Sequence, residues 1–196
     1  MDTETLYERE RNYTDHVIGQ TTLPQLFEDS VQRYGSNTAQ RYKGGIYDRS
    51  LCPTVIPEAP HDEYESLSYN KMGSIIRTLN LGFRSLGVEK GDRVGIFANT
   101  RMEWAHSDYA LLGAGAIVTT VYTESSPEQA QYLLDNSGSK GVVVENQELL
   151  ERILEVEDNL GDLEFIVTID NVEDSLADRD NIISLGEVHR RGAEDY

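Results

Sequence analysis

Four short β-rich apolar runs, residues 93–98, 116–121, 141–145 and 165–169, alternate with stretches whose apolar side chains recur at helical spacing. No other feature narrows the possible folds as far. A strand, a helix and a second strand in succession require a crossover, crossovers are right-handed, and strands joined by them lie parallel. The expected class is α/β: a mainly parallel sheet flanked by helices, preceded by a hairpin appendage.

The helices are marked by their ends. Thr22 can cap a helix with Pro24 in its first turn, Leu23, Leu26, Phe27 and Val31 on one face, and Gly35 as its stop. From Asn70, the residues Met72, Ile75, Ile76, Leu79, Phe83 and Leu86 keep the helical period until Gly87. Residues 102–112 predict a further helix. Ser126, Pro127 and Gln129 supply a cap, a first-turn proline and the reciprocal arm of a capping box, so a helix is expected from there to Asn136, with Gly138 beyond it. Residues 148–156 carry Leu149, Leu150, Ile153 and Leu154 as the next apolar stripe.

The two ends of the chain are less patterned. Residues 1–20 are polar without periodicity and are expected to wrap loosely. Residues 38–42 predict a strand, Gly44 and Gly45 a turn, and Ile46 the start of a return strand leading into a proline-rich excursion over 53–60; residues 66–69 resume an extended segment. Residues 171–196 read as mostly acidic loop with one apolar island at 182–185. The chain thus divides into an N-terminal extension, residues 1–66, and an α/β unit, residues 67–196.

At 196 residues the chain can bury about 70% of its unfolded surface. Its 35 acidic residues against 17 basic ones, for a formal charge of -18, exclude nucleic-acid binding, because no basic stripe exists to displace counterions from phosphates. The lysines are only Lys43, Lys71, Lys90 and Lys140, and the acids are scattered. Such a surface stays soluble by self-repulsion that salt relieves, as expected of an acidic, halophilic-type protein from a salt-rich cytoplasm. Cys52 is the single cysteine, so no internal disulfide forms, and the chain opens on acids instead of a secretion signal. A cytoplasmic location is expected. The longest apolar stretch, 110–121, is interrupted by Gly and Thr and falls short of the roughly 20 residues that span a bilayer, so membrane contact is peripheral at most.

No constellation of reactive residues emerges. Gly113-Ala114-Gly115 follows a helix and precedes a strand, the reverse of a dinucleotide turn, and fits close helix–sheet packing better. Ser137-Gly138-Ser139-Lys140-Gly141 lacks phosphate-loop spacing and reads as a helix-ending turn. His16, His61, His106 and His189 are isolated, without a second ligand at metal spacing. No G-x-S-x-G elbow is present, and Glu157-Asp158 falls in a loop. Catalytic, cofactor-binding and metal residues are therefore each assigned as none.

One ordered set of motifs does carry information. Leu67-Ser68-Tyr69 before a helix, residues 86–104 (LGVEKGDRVGIFANTRMEW), residues 113–122 (GAGAIVTTVY), Ser126-Pro127-Glu128-Gln129 and residues 132–140 (YLLDNSGSK) together resemble the opening of adenylate-forming, AMP-binding acyl-CoA synthetases. The resemblance covers residues 15–192. The segment 41–47 (RYKGGIY) and the proline-containing insertion before Tyr69 look most like the long-chain fatty acid–CoA ligase branch. Physically these motifs are scaffold: Gly91-Asp92 makes the turn into a buried strand, Asn99 can satisfy loop backbone after it, and Ser126-Pro127 starts a helix.

The resemblance implies a Rossmann-like N-terminal subdomain of a ligase that joins a fatty acid to coenzyme A through an acyl-adenylate, with ATP, coenzyme A and magnesium serving the full-length enzyme. The family's phosphate loop, its aromatic-Gly-x-Thr-Glu segment, its ribose-binding Asp and its C-terminal-domain Lys do not occur here. The chain alone is therefore expected to be inactive and to bind none of these tightly, with the remainder of the ligase, and a homodimer contact, as its partners. The alternatives are a stand-alone non-catalytic interaction module of the same fold, and an unrelated nucleotide-binding α/β domain, which would need glycine in the Asn99-Thr100-Arg101 loop.

Overall fold

The computed structural model describes residues 3–13 and 21–194. Thr3–Tyr13 forms helix α1 where loosely wrapped chain is expected; residues 14–20, with the rest of that expectation, lie outside the described residues. Helix α2, Leu23–Tyr34, begins at Thr22, whose hydroxyl accepts from the Gln25 N–H. It buries Phe27 and Val31 but leaves Leu23 and Leu26 exposed, so the expected four-residue face is split.

Strand β1, Thr38–Lys43, pairs antiparallel with β2, Tyr64–Ser68. The expected return strand at Ile46 does not form. Residues 46–63 instead make a long excursion that buries Leu51 and Ile56 completely, and β2 closes the hairpin. The excursion's base is closed at Gly44, whose N–H donates to the Glu63 carbonyl oxygen and whose own carbonyl oxygen accepts from the Asp62 N–H, and which passes so close to Ala59 and Pro60 that a Cβ there would strike their carbonyl oxygens.

Helix α3, Tyr69–Ser85, follows directly, capped by Ser68, and buries Met72, Ile75, Ile76, Leu79 and Phe83 as the periodicity requires. Then come β3 (Arg93–Phe97), α4 (Met102–Ala114), β4 (Ile117–Val121), α5 (Pro127–Ser137), β5 (Ser139–Val144), α6 (Gln147–Leu154), a 3-10 turn at Glu157–Asn159, β6 (Phe165–Thr168), α7 (Asp174–Ala177), β7 (Ile182–Ser184) and α8 (Leu185–Glu194). The capping box of α5 is present in full.

The five strands from β3 to β7 form one parallel sheet in the order β4-β3-β5-β6-β7. Both faces are covered, which is why the strands read as near-continuous apolar runs. On one face Val94, Ile96, Val143, Phe165 and Val167 pack with α3, α4 and α8. On the other Phe97, Val121, Val142, Val144 and Ile166 pack with α5 and α6. Each fully buried large side chain contributes on the order of 1.5–3 kcal/mol. No helix among the described residues is long and apolar enough to cross a membrane.

Of the segment expected to be acidic loop, 171–196, the described residues 171–194 are largely structured. Its apolar island becomes β7, and α8 packs across α3. A Cβ at Gly192 would collide with the Thr78 carbonyl oxygen, and one at Gly82 with that of Val188, so two glycines let the backbones approach. Read along the sequence, Gly186 and Gly192 look like breakers and hide a helix with only Leu185 and Val188 as large buried residues.

Candidate functional site

In open parallel sheets, ligands gather at the carboxyl ends of the strands, where neighbouring connections leave toward opposite faces. Here the connections diverge between β3 and β5. The first leads into α4 on one face and the second into α6 on the other.

Three loops meet at this edge. The Asn99 N–H, just past β3, donates to Glu145 Oε2, just past β5, at 2.6 Å. The Thr123 hydroxyl, just past β4, donates to Asn99 Oδ1 at 3.1 Å. Arg152 of α6 donates to the carbonyl oxygens of Thr123 at 2.7 Å and Ser125 at 3.1 Å, fixing the β4–α5 loop from below.

Beneath the rim lies a buried charge network. Arg101 donates to Glu103 Oε2 at 2.8 Å and, in a two-pronged contact of 3.0 and 2.7 Å, to Asp170. Glu103 Oε1 accepts from Arg49 at 2.7 Å, and Glu145 stands 3.8 Å from Arg101. The Arg101 and Glu103 side chains are 1% and 0% exposed. The Tyr47 ring covers the Arg101 guanidinium at 3.9 Å. Four of the five charges come from the sheet edge or from α4, and Arg49 reaches in from the excursion, so the network also ties residues 46–63 to the sheet. Ser50, whose N–H and hydroxyl both donate to the Ile169 carbonyl oxygen, reinforces that tie.

The electrostatics follow from burial and pairing. Burial alone would raise the Glu103 carboxyl, but Arg101, and behind it Arg49, outweigh that and hold it below the usual range. Burial keeps Asp170 above its ordinary value in spite of the Arg101 bonds. His106, wholly buried on α4 with Nε2 2.7 Å from Gln40 Oε1, is pushed by burial down to about 4 and is neutral in the fold. Burial also raises the Cys52 thiol, leaving it a poor nucleophile.

This arrangement can hold loops in place; it presents no free acid, base or nucleophile. Among the described residues no three His, Cys, Asp or Glu side chains converge as a metal site, and the loop after β3 carries no glycine. The edge therefore does not fit a magnesium–polyphosphate group on this chain's residues alone.

The residues singled out in the sequence scatter. Gly115, at φ 86°, ends α4. A Cβ on exposed Gly113 would meet Asn80 of α3, so the close approach there is helix to helix instead of helix to sheet. Gly138, at φ 62°, ends α5 as expected. His61 is exposed beside Asp62, His189 is half-buried, and His16 lies outside the described residues. Glu157 and Asp158 sit in the 3-10 turn, with Glu157 paired to Arg179. Asn99 uses its side chain on Thr123, where loop backbone was the expected partner. The buried network itself was not legible: Arg49, Arg101 and Asp170 are separated by 52 and 69 positions, and only the Arg101-x-Glu103 pair lies within one motif.

A family model described as AMP-binding enzyme matches residues 27–189. A long-chain-fatty-acid–CoA ligase of Xenopus laevis is 32% identical over 146 residues, 74% of this chain and 18% of that protein. One from Mycobacterium tuberculosis is 37% identical over 94 residues, 48% of this chain and 16% of that protein. Among solved structures, a long-chain-fatty-acid–CoA ligase of Archaeoglobus fulgidus superimposes with a TM-score of 0.68 at 20% identity, covering 90% of this chain and 31% of that one. The adenylation domain of a carboxylate reductase of Mycobacterium chelonae gives 0.71 at 18% identity, covering 89% and 29%. At such identities the structural likeness is one of fold. This chain spans under a fifth of the length of those two curated relatives.

Proposed function

Because the chain belongs to the AMP-binding enzyme family, we propose that it is the N-terminal subdomain of an ATP-dependent long-chain fatty acid–CoA ligase and is inactive alone. The observation that carries the reading is the family match across residues 27–189, joined to curated relatives that are long-chain-fatty-acid–CoA ligases. In the complete enzyme, ATP and a fatty acid give an acyl-adenylate and pyrophosphate, and the thiol of coenzyme A then displaces AMP. Magnesium would offset charge on the phosphates there. This subdomain's part is to supply a rigid sheet edge whose loops are pinned from beneath.

Its main partner is the remainder of the ligase chain, and the cytoplasm its place of work. The open side of β4 supports the docking: residues 117–121 contain no charge or proline to discourage pairing, and Ile117, Tyr122 and Tyr132 are among the most exposed large hydrophobic residues. In isolation the same edge favours self-association.

An antibody against residues 141–160, applied to lysate of the source cells, tests the reading. A polypeptide of several hundred residues that forms acyl-CoA and AMP from a long-chain acid supports it. A band near 22 kDa with no longer form overturns it and leaves a non-catalytic interaction module.

A further inference from the structure

We propose that Asp108 and Trp104, beside the open edge of β4, take a basic side chain from the ligase body outside residues 1–196 and so fix how that body docks. The inference rests on the ligase reading and deepens it, by naming what the docking partner must carry. β4 pairs with β3 alone, which leaves the backbone N–H and C=O groups along its other side without strand partners. Helix α4 packs over β3 and β4. One flank of α4 is occupied: the Tyr109 ring lies 4.8 Å from that of Phe27, and the Asn80 amide donates to the Ala110 carbonyl oxygen at 2.8 Å. Helical spacing turns Trp104 and Asp108, four positions apart, to the opposite flank, toward the open edge. Both are half-buried, and Trp104 packs against the core. Asp108 has neither a hydrogen bond nor an ion pair with another described residue. Burial pushes its carboxyl above the ordinary value, with no cation nearby to oppose it. Burial acts on Glu103 and Asp170 as well, but Arg101 answers both; nothing answers Asp108.

Charge and chain length choose the occupant. A strand laid along β4 would cover the flank of α4 and strip the remaining water from Asp108, a cost that an unpaired carboxylate cannot offset. An ammonium or guanidinium arriving with that strand converts the cost into a pair, and its apolar stem can lie along the Trp104 ring. A second copy of this chain is poorly suited to bring that cation. The chain carries 35 acidic residues against 17 basic ones and repels its own copies, and the open strand it would offer, residues 117–121, contains no base. The ligase body has ample chain for the role, since residues 1–196 span under a fifth of the curated relatives' length. Asp108 therefore selects the partner by charge, where the apolar edge of β4 alone would accept any strand.

The test uses the complete ligase with Asp108→Asn, Asp108→Glu and Asp108→Arg. The first keeps the shape and removes the charge; the second keeps the charge and changes the shape. A docking pair predicts that Asp108→Asn lowers the melting temperature by about 2–4 °C at a fixed scan rate, that Asp108→Glu stays within about 1 °C of wild type, and that Asp108→Arg falls furthest. Second-site changes that restore stability to Asp108→Arg should replace a Lys or Arg outside residues 1–196 by an acid. Asp108→Asn as stable as wild type, or more stable, overturns the proposal, because an unpaired half-buried carboxylate is relieved by losing its charge. Compensating changes confined to residues 1–196, or none at all, overturn it too. So does a fall in subunit number on Asp108→Asn, by light scattering, which would make the partner a second copy. A complete wild-type protein that makes no acyl-CoA overturns the ligase reading instead, a separate failure that the wild-type assay reveals on its own.

Discussion

The sheet carries an ion cluster at each end of its strands, and the two differ in water more than in chemistry. At the amino end Lys140 bridges Asp92 at 3.3 Å and Glu164 at 3.7 Å and also donates to the carbonyl oxygen of Gly87, just past α3. Those side chains are 23–63% exposed. At the carboxyl end Arg101, Glu103, Arg49 and Asp170 are at most 10% exposed. An exposed pair trades protein contacts for water at little net cost, whereas a buried charge stripped of its partner has nowhere to turn. Only the carboxyl end can therefore act as a structural keystone.

The sharpest way to break this comparison is Arg101→Met, which leaves Glu103 half-paired and Asp170 without its main partner inside the protein. We expect a loss of about 3–5 kcal/mol in denaturant unfolding. A loss under about 1 kcal/mol would mean water already reaches the network. Acid should discriminate next. His106 is depressed to about 4 from an ordinary 6.5, so the unfolded chain takes up its proton first as pH falls. The stability from neutral His106 is present above pH 6.5 and is lost on descending toward 4, by on the order of 3 kcal/mol. Melting curves of His106→Gln should show a shallower decline over that window.

Smaller effects sharpen the contrast. Ser126→Ala removes one arm of a complete capping box where the β4–α5 loop enters its helix, and should cost about 1 kcal/mol by chemical denaturation. Lys140→Gln at the amino end should cost less than about 1 kcal/mol, and less again in molar KCl, where exposed pairs are screened. Over the same salt range the wild-type chain should gain stability, because its charge of -18 repels itself. The Arg101→Met deficit should stay constant with salt; if it shrinks in step with that of Lys140→Gln, the two ends do not differ as their burial implies.

Much of the scaffold was legible because its signals are local. The period of Met72, Ile75, Ile76, Leu79 and Phe83 marks α3, and Ser126, Pro127 and Gln129 mark the start of α5. The failures came where long-range contact overrode local pattern. The strand expected at Ile46 lost to an excursion whose Leu51 and Ile56 gain full burial against distant residues. Helix α8 was hidden because Gly192 is a helix breaker by propensity and a contact residue in place, where Thr78 of α3 leaves no room for a Cβ. Leu23 and Leu26 had the right period for burial, yet no neighbour among the described residues covers them.

By itself the sequence determined the α/β class, most of the strands and helices after β2, and the family, since alternation, caps and ordered motifs are written within short windows. The tertiary structure alone decided strand order, the seating of α8 on α3, and the gathering of Arg49, Arg101, Glu103, Glu145 and Asp170 at one sheet edge. The reason is physical: periodicity and capping act over a few residues, whereas a charge finds its partner, and a glycine its purpose, only once segments dozens of positions apart are packed together and water has left between them.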